Sequence, residues 1–252
     1  MDFLRDDESK LIYSKFSNKI KNLYYSEVAN SKFLTPNHIE LVKSICNKHN
    51  IIYKIYKSNN FSERDIIFFS ETDFDFENIV EETVSIIVIK NKSMDIKHRD
   101  VLGSILNLGI DRANVGDIVF NDDLIYIVIM DIISDFILLN LKSIKKYPVA
   151  PVKYEYKYIT NKFIKTEEKK LNVSSLRLDA IVSSMINISR AKSKTLFQRD
   201  LIKLNHYVEN NPSISIKEND LISIRGYGRF IFSEILGTTR KNKYVVSILK
   251  LV

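Results

Sequence analysis

Two short helices meeting at Ser189 constrain this chain more than any other stretch. The run Arg177-Leu178-Asp179 … Ser189-Arg190-Ala191-Lys192-Ser193-Lys194 … Arg199 predicts one helix over 175–185, with Leu178, Ile181, Val182 and Met185 on a single face. A second follows over 190–199. Ser189 is a good N-cap for it, because its hydroxyl can accept a bond from a free backbone N–H of the first turn. Arg190, Lys192 and Lys194 then sit where the positive end of the helix dipole disfavours cations. A helix N-terminus with basic side chains beside it is a site for a phosphate, so the misplaced charges make sense if an anion completes them. Taken alone, such a helix would more simply be a solvated basic face.

Charge segregation favours the anion. Residues 171–252 carry 13 Lys and Arg against 6 Asp and Glu, a net of +7, which is also the net charge of all 252 residues. The first 170 residues balance at 25 of each sign. Within them, residues 1–141 hold 16 basic and 22 acidic side chains, and residues 142–170 hold 9 and 3. Basic charge gathered on a module of this size is the electrostatic footprint of a polyanion binder, and nucleic acid is the commonest polyanion.

With 45% hydrophobic residues, the chain has apolar material for one large domain or two to three small ones. No stretch approaches the roughly 18–20 apolar residues of a membrane span, and the acidic N-terminus Met1-Asp2-Phe3-Leu4-Arg5-Asp6-Asp7-Glu8 is unlike a secretory signal. A cytoplasmic protein with no membrane partner is expected. One cysteine excludes an internal disulfide, and four scattered histidines offer no metal-ligand spacing. Cys46 falls on the helical pattern Ile39, Val42, Ile45, Cys46, which makes it a core thiol rather than a nucleophile.

Along the chain, Leu11, Ile12, Phe16, Ile20, Leu23 and Tyr24 recur at helical steps within 7–30. Thr35-Pro36 opens a second helix to about residue 48, and strands are predicted over 51–56 and 65–69. Acids crowd 71–82, a candidate boundary. The next segment reads strand 84–89, helix 99–108 ended by Gly109, a hairpin of 117–120 with 124–130, helix 134–141 and strand 147–159. That is the split β-α-β order of a ferredoxin-like unit, which RNA-recognition folds also use. Tyr154, Tyr156 and Tyr158 share one face there, for packing or, less simply, for stacking on bases. Residues 161–173 read as a linker by composition. Strands near 202–204, 207–208, 220–225, 230–236 and 244–249 complete the chain. The expected fold class is therefore α+β with three small domains: 1–75, 76–160 and, after the linker, 174–252.

Three short motifs invite over-reading. His98-Arg99-Asp100 copies a kinase catalytic triplet, but Ile105 stands where that motif has asparagine and no Gly-rich loop exists. Arg225-Gly226-Tyr227-Gly228-Arg229-Phe230-Ile231-Phe232 nearly matches an aromatic RNA-binding strand, yet Arg229 replaces a stacking aromatic; its glycines suit a sharp turn, with Arg225 and Arg229 directed at phosphate. Arg177-Leu178-Asp179 is similar to the catalytic aspartate motif of pseudouridine synthases, but Asp179 in a helix first turn is favoured by the dipole and can pair with Arg177. His98, Arg99, Asp100 and Arg112 carry two readings, contact with RNA or helix capping and ion pairing. No phosphate loop, dinucleotide fingerprint, nucleophile elbow or Cys/His cluster is present, so no cofactor and no enzymatic activity are expected.

An ordered set of residues then carries a family resemblance. Ser175-Leu176-Arg177-Leu178-Asp179, Ile188-Ser189-Arg190-Ala191-Lys192-Ser193, Ile202-Lys203-Leu204-Asn205, Asn211-Pro212 and 218–226 (Glu-Asn-Asp-Leu-Ile-Ser-Ile-Arg-Gly) resemble the S4 domain, an RNA-binding module. The family has glycine where this chain has Asp200, a residue that tolerates left-handed geometry better than most. Together with 98–106, Gly109-Ile110-Asp111-Arg112 and Gly116-Asp117-Ile118, the chain resembles the YlmH family of bacterial proteins. The resemblance implies a small N-terminal domain, an RRM-like middle domain and a C-terminal S4 domain. It also implies binding to the large ribosomal subunit, with tRNA, during rescue of stalled translation. Carried over by position, Arg177, Ser189, Arg190, Lys192, Lys194, Arg199, Lys203 and Arg225 are the implied contacts to ribosomal RNA, with Arg229 added from the turn. Two other readings stand beside this one: an RNA-modifying enzyme with an appended S4 domain, and a DNA-binding or scaffolding protein using the acids of 71–82.

Overall fold

The computed structural model describes residues 7–24, 27–59, 61–90, 95–155 and 166–251. Its chain divides into two compact units, Met1–Phe163 and Ile164–Val252.

The first unit begins with α1 (Asp7–Lys21), whose first turn is acidic and last turn basic, as the helix dipole favours. After β1 (Ala29–Asn30) comes α2 (Pro36–Lys48), opened by Pro36 as the sequence predicts. Its end is a Schellman turn: Asn50 takes φ +53° and the Ile51 N–H reaches the Cys46 carbonyl at 2.9 Å, satisfying a carbonyl the helix leaves open. Strands β2 (Ile52–Tyr56) and β3 (Ile66–Ser70) join β1 in a three-stranded antiparallel sheet of order β1-β3-β2. Cys46 is fully buried, and burial pushes its thiol up to about 12, the state of a packing group rather than a nucleophile.

The acidic stretch 71–82 lies in the chain between the two sheets of the unit and is structured. It holds α3 (Phe76–Thr83), capped by Asp75, whose Oδ1 accepts from the Asn78 N–H at 3.2 Å; Val80 turns inward while Glu77, Glu81 and Glu82 are exposed. Then follow β4 (Val84–Lys90), α4 (His98–Leu106), β5 (Val115–Asn121), β6 (Leu124–Met130), α5 (Ser134–Asn140), the short pair β7 (Ser143–Ile144) and β8 (Tyr147–Pro148), and β9 (Val152–Glu155). Four of these strands form an antiparallel sheet of order β5-β6-β4-β9. Of the strand expected over 147–159, residues 156–159, with Tyr156 and Tyr158, lie outside the described residues.

Strand alternation sends Ile87, Ile89, Ile125, Ile127 and Ile129 to one side, where Val101 and Ile105 of α4 and Ile137 of α5 meet them. It sends Ile86, Val88, Tyr126, Val128 and Met130 to the other, against Phe33, Tyr56, Ile66, Phe68 and Val80. The next residues of β3, Ile67 and Phe69, pack on Phe16 and Ile20 of α1 and on α2. The unit is thus a four-layer sandwich of helices, sheet, sheet and helices. Strands β4 and β6 are buried on both faces, which is why they read as unbroken apolar runs. Residues 1–75 and 76–160 each contribute their own sheet, and the two sheets share one core.

Phe33 fastens that core. It is fully buried, its N–H donates to the Ala113 carbonyl at 2.9 Å, and Arg64 Nη1 donates to its carbonyl at 3.1 Å. A Cβ placed on Gly116 would lie 2.6 Å from Phe33 Cε1, so the glycine is there for the close approach of the ring.

The second unit opens with β10 (Thr166–Val173) and continues with α6 (Leu178–Met185), α7 (Arg190–Gln198), β11 (Ile202–Leu204), β12 (Tyr207–Val208), β13 (Leu221–Ile224), β14 (Gly228–Thr238) and β15 (Tyr244–Leu251). Its sheet is antiparallel, of order β10-β15-β14-β13-β11-β12. The linker expected over 161–173 is corrected here: 161–165 lie outside the described residues, and Thr166–Val173 pairs along its length with β15. As an edge strand it carries charges that discourage further pairing, and that composition imitates a linker. Leu178, Ile181, Val182 and Met185 of α6 and Phe197 of α7 pack on Ile222, Ile224, Phe230, Phe232, Val246 and Ile248. No helix among the described residues is long and apolar enough to cross a membrane.

Replacing Phe33 with Ala should cost about 3–5 kcal/mol, the usual loss for a buried ring, and Gly116→Ala about 1–3 kcal/mol by overpacking. Urea denaturation of the full chain measures both. A Phe33→Ala loss near zero would show that another contact holds the two sheets.

Candidate nucleic-acid interface

The two helices of the second unit present their N-termini differently. At α6 the free backbone donors are absorbed by protein: the Leu178 N–H reaches the Ile214 carbonyl at 2.9 Å and the Asp179 N–H the Pro212 carbonyl at 3.0 Å. The Asn211-Pro212 pair therefore has a local task, and Asn211 Oδ1 accepts from the Ser213 N–H at 3.0 Å to shape the loop. At α7 the cap is the Ser189 hydroxyl, which accepts from the Lys192 N–H at 3.2 Å. This end of the unit is exposed.

Arg177 is committed. Its Nε and Nη2 donate to the two carboxylate oxygens of Asp179 at 3.0 and 3.1 Å, and Asp179 Oδ1 also accepts from the Ala180 N–H at 2.9 Å. Asp179 is only 3% exposed, so the bidentate arginine supplies the partner that a buried carboxylate requires. Arg177 keeps about half its side-chain surface, 43%, but its fork already has an occupant.

On α7, Ser193 and Phe197 face the core, and Ser193 Oγ accepts from Ser183 Oγ of α6 at 3.2 Å. A 3.6-residue period then puts Arg190 and Lys194 on one flank, Lys192 and Arg199 on the other, and the small residues Ala191 and Thr195 on the crest between them. All six are exposed. Arg190 Nη2 donates to Ser174 Oγ at 2.6 Å, which anchors one N–H of its guanidinium. Lys192, Lys194, Arg199, Lys203 and Arg225 make no ion pair with an acid among the described residues.

Helix α7 ends in a Schellman turn with Asp200 at the left-handed position. Asp200 has φ +55°, its N–H reaches the Phe197 carbonyl at 3.2 Å, and the Leu201 N–H reaches the Leu196 carbonyl at 3.0 Å. The substitution for glycine leaves the turn intact. The Leu201 carbonyl accepts from the Arg225 N–H at 2.9 Å, which sets Arg225 beside the corner that follows Arg199. Arg225 begins a tight turn through Gly226 (φ +87°) to Gly228 (φ +115°); residues 228–232 open β14, with Phe230 and Phe232 buried in the core instead of offered for stacking.

The remaining two residues lie elsewhere. Lys203, Ser223 and Arg229 are successive cross-strand partners on the sheet face opposite the core residues Ile202, Ile224 and Phe230. The predicted set therefore forms a helix group (Arg190, Lys192, Lys194, Arg199, joined by Arg225) and a separate sheet pair (Lys203, Arg229). Asn205 and Asp220, from the ordered set above, are structural: Asn205 Nδ2 donates to Asp220 Oδ1 at 2.8 Å and its Oδ1 accepts from the Leu221 N–H at 2.9 Å. Arg240, Lys241 and Lys243 are exposed at the β14–β15 turn; only the charge of that loop signalled them, and they were not counted as site residues.

In the first unit, Asp100 caps α4, its Oδ2 accepting from the Lys97 N–H at 2.9 Å. Arg112 is half-buried and Nη1 donates to the Val115 carbonyl; burial, then neighbouring Arg64, lowers its pKa. Asp100 follows the capping reading, Arg112 is held by a backbone carbonyl instead of the acid expected for it, and Arg99 is 82% exposed. Of the tyrosine face expected over 154–158, Tyr154 pairs across the sheet with Ile86 and is 37% exposed at the edge strand β9, while Tyr156 and Tyr158 lie outside the described residues.

Residues 72–160 match the family described as "Putative RNA-binding domain in YlmH". Over 157 residues the chain is 35% identical to the "Ribosome-associated protein quality control protein P2" of Bacillus subtilis (strain 168), which covers 62% of this chain and 61% of that protein. Residues 72–160 are thus similar to the RNA-binding segment of the YlmH family. The chain spans about three-fifths of the length of the curated relative it matches. A solved structure, the cell division protein ylmH from Streptococcus pneumoniae, aligns at 22% identity with a TM-score of 0.48, covering 60% of this chain and 94% of that one.

Asp200→Gly should stabilise the second unit by about 0.5–1 kcal/mol, because glycine enters the left-handed region without the Cβ penalty. Denaturant unfolding measures it; a destabilised variant would show that the Asp200 side chain holds the corner.

Proposed function

We propose that this protein is a non-enzymatic factor that binds structured ribosomal RNA through its second unit, acting as an S4 domain, in quality control of stalled translation on the large ribosomal subunit. The observation that carries the reading is α7: Arg190, Lys192, Lys194 and Arg199 surround a Ser189-capped, exposed helix start, and Lys192, Lys194 and Arg199 have no acid paired to them. Phosphates of A-form RNA supply the missing counter-charge, and a crest of Ala191 and Thr195 lets the backbone approach. The matched RNA-binding family and the name of the curated relative support the ribosomal target. Strand order β5-β6-β4-β9 with helices α4 and α5 supports a ferredoxin or RRM-like middle segment, so that 1–75 and 76–160 act as an N-terminal and a middle domain and the second unit, β10 included, as an S4 domain. Transfer RNA on the large subunit is part of the same proposal.

A modifying enzyme is the weaker reading. The aspartate that invites it, Asp179, is buried and held bidentately by Arg177, an arrangement suited to a helix clamp.

Arg190→Glu with Lys194→Glu should weaken binding to protein-free large-subunit RNA by roughly 10- to 100-fold at ~0.15 M salt. The slope of log K against log salt should shrink by about 2, at about 0.7–0.9 per phosphate contact. Filter binding reads both, and the thermal unfolding temperature should not fall, because both side chains are exposed and acids suit the start of a helix. Equal affinity and slope in variant and wild type would remove α7 as the site.

A further inference from the structure

The central strands β4 and β6 of the larger sheet in the first unit are covered on both faces, one by α4 and α5, the other by β3, Phe33 and α3, and only its edge strand β9 is exposed. RNA bound by residues 72–160 must therefore meet the sandwich at a rim. Two clefts there are unsuited to a polyanion. One is lined by Glu81, Glu82, Asp131 and Glu155, with Lys153 already 2.6 Å from Asp131. The other is lined mainly by Ile55, Tyr56, Phe76 and Val80.

A third cleft, of about 410 Å³, differs in kind. Lys97 and Arg99 from the start of α4 face Lys145, Lys146 and Tyr147 from the β7–β8 turn, with Asp95 beside them. Resting on the RNA-binding reading above, we propose that this cleft is a second RNA contact, in which Lys97, Arg99 and Lys146 hold backbone phosphates independently of α7.

The wall of the cleft is built. Lys145, at φ +54°, donates from Nζ to the Asp95 carbonyl at 2.8 Å and pairs with Asp100 Oδ2 at 2.9 Å. Lys145 and the Lys97 N–H hold the Asp100 carboxyl below the usual carboxylate range, so Lys145 and Asp100 neutralise each other and tie the turn to α4. Tyr147 is half-buried, and its hydroxyl donates to Asp95 Oδ2 at 3.2 Å, which fixes the ring. What this frame displays is positive. Arg99 is 82% exposed and meets Asp100 only through a 3.8 Å contact from Nε, leaving most of its N–H donors uncommitted. Lys146 lies 5.5 Å from the Tyr147 ring centroid, and Lys97 is exposed. Four cations against Asp95 and Asp100 make a local excess of two. Like charges gathered on a rigid rim attract a polyanion and concentrate its phosphates.

The test uses the full chain with protein-free large-subunit RNA over a salt series. Lys97→Glu/Arg99→Glu/Lys146→Glu should lose about tenfold or more in affinity, and its salt slope should shrink by about 2, at roughly 0.7–0.9 per phosphate contact. Lys97→Arg/Arg99→Lys/Lys146→Arg should bind as wild type does, and the thermal transition of each variant should match wild type. If the charge-reversed triple variant keeps both affinity and slope while Arg190→Glu/Lys194→Glu loses them, the cleft is not an RNA contact and the α7 reading survives. If wild type binds no RNA, both fall. Binding of poly-glutamate as tight as that of RNA would overturn the assignment to RNA.

Discussion

Cations crowded on one turn of helix repel each other, and the positive end of the helix dipole adds to that repulsion. Helix α7 holds Arg190, Lys192 and Lys194 in its first turns with Arg199 just past its end, and the fold answers them with one hydroxyl contact at Arg190. The rest of the second unit makes this arrangement tolerable. Ser193 and Phe197 fasten the helix to α6 and the sheet, Ser189 closes its first turn, and the Asp200 corner passes the chain directly into β11. Rigid support beneath unopposed charge is what a phosphate-binding surface requires, since the charges need not be gathered again when the ligand arrives.

The first unit follows a different constraint. Its central strands are buried on both faces, so the two sheets must register on each other, and Phe33 packs tightly against Gly116 between them. A layout shared with RNA-recognition folds does not therefore bring an open RNA-binding sheet with it. In the proposed reading, contact with RNA in this unit falls to its rim, where acidic and basic clefts lie.

Most helices and strands were legible because their periodicity is strong: α2, β4, β6, α5 and β11 fall where the apolar spacing puts them. The Ser189 cap and the Arg177–Asp179 pair were legible from residue type and spacing alone. Three features were hidden for physical reasons. Strand β10 has the composition of a linker because edge strands carry charge; α3 presents acids outward around one buried valine, Val80; and the covering of the second face of β4 and β6 depends on Phe33, about fifty residues before β4, a contact that no local pattern encodes. The split of the basic residues into a helix group and a sheet pair likewise follows from strand register, which sets Lys203 and Arg229 opposite Ile202 and Phe230.

Sedimentation through sucrose gradients with purified ribosomal subunits at low and high salt addresses the central claim most directly, with the Arg190→Glu/Lys194→Glu protein run alongside. The account predicts that wild type travels with the large subunit at low salt and is released at high salt, while the variant stays at the top. Wild-type protein remaining at the top at both salt concentrations, or the variant travelling unchanged with the large subunit, would contradict it.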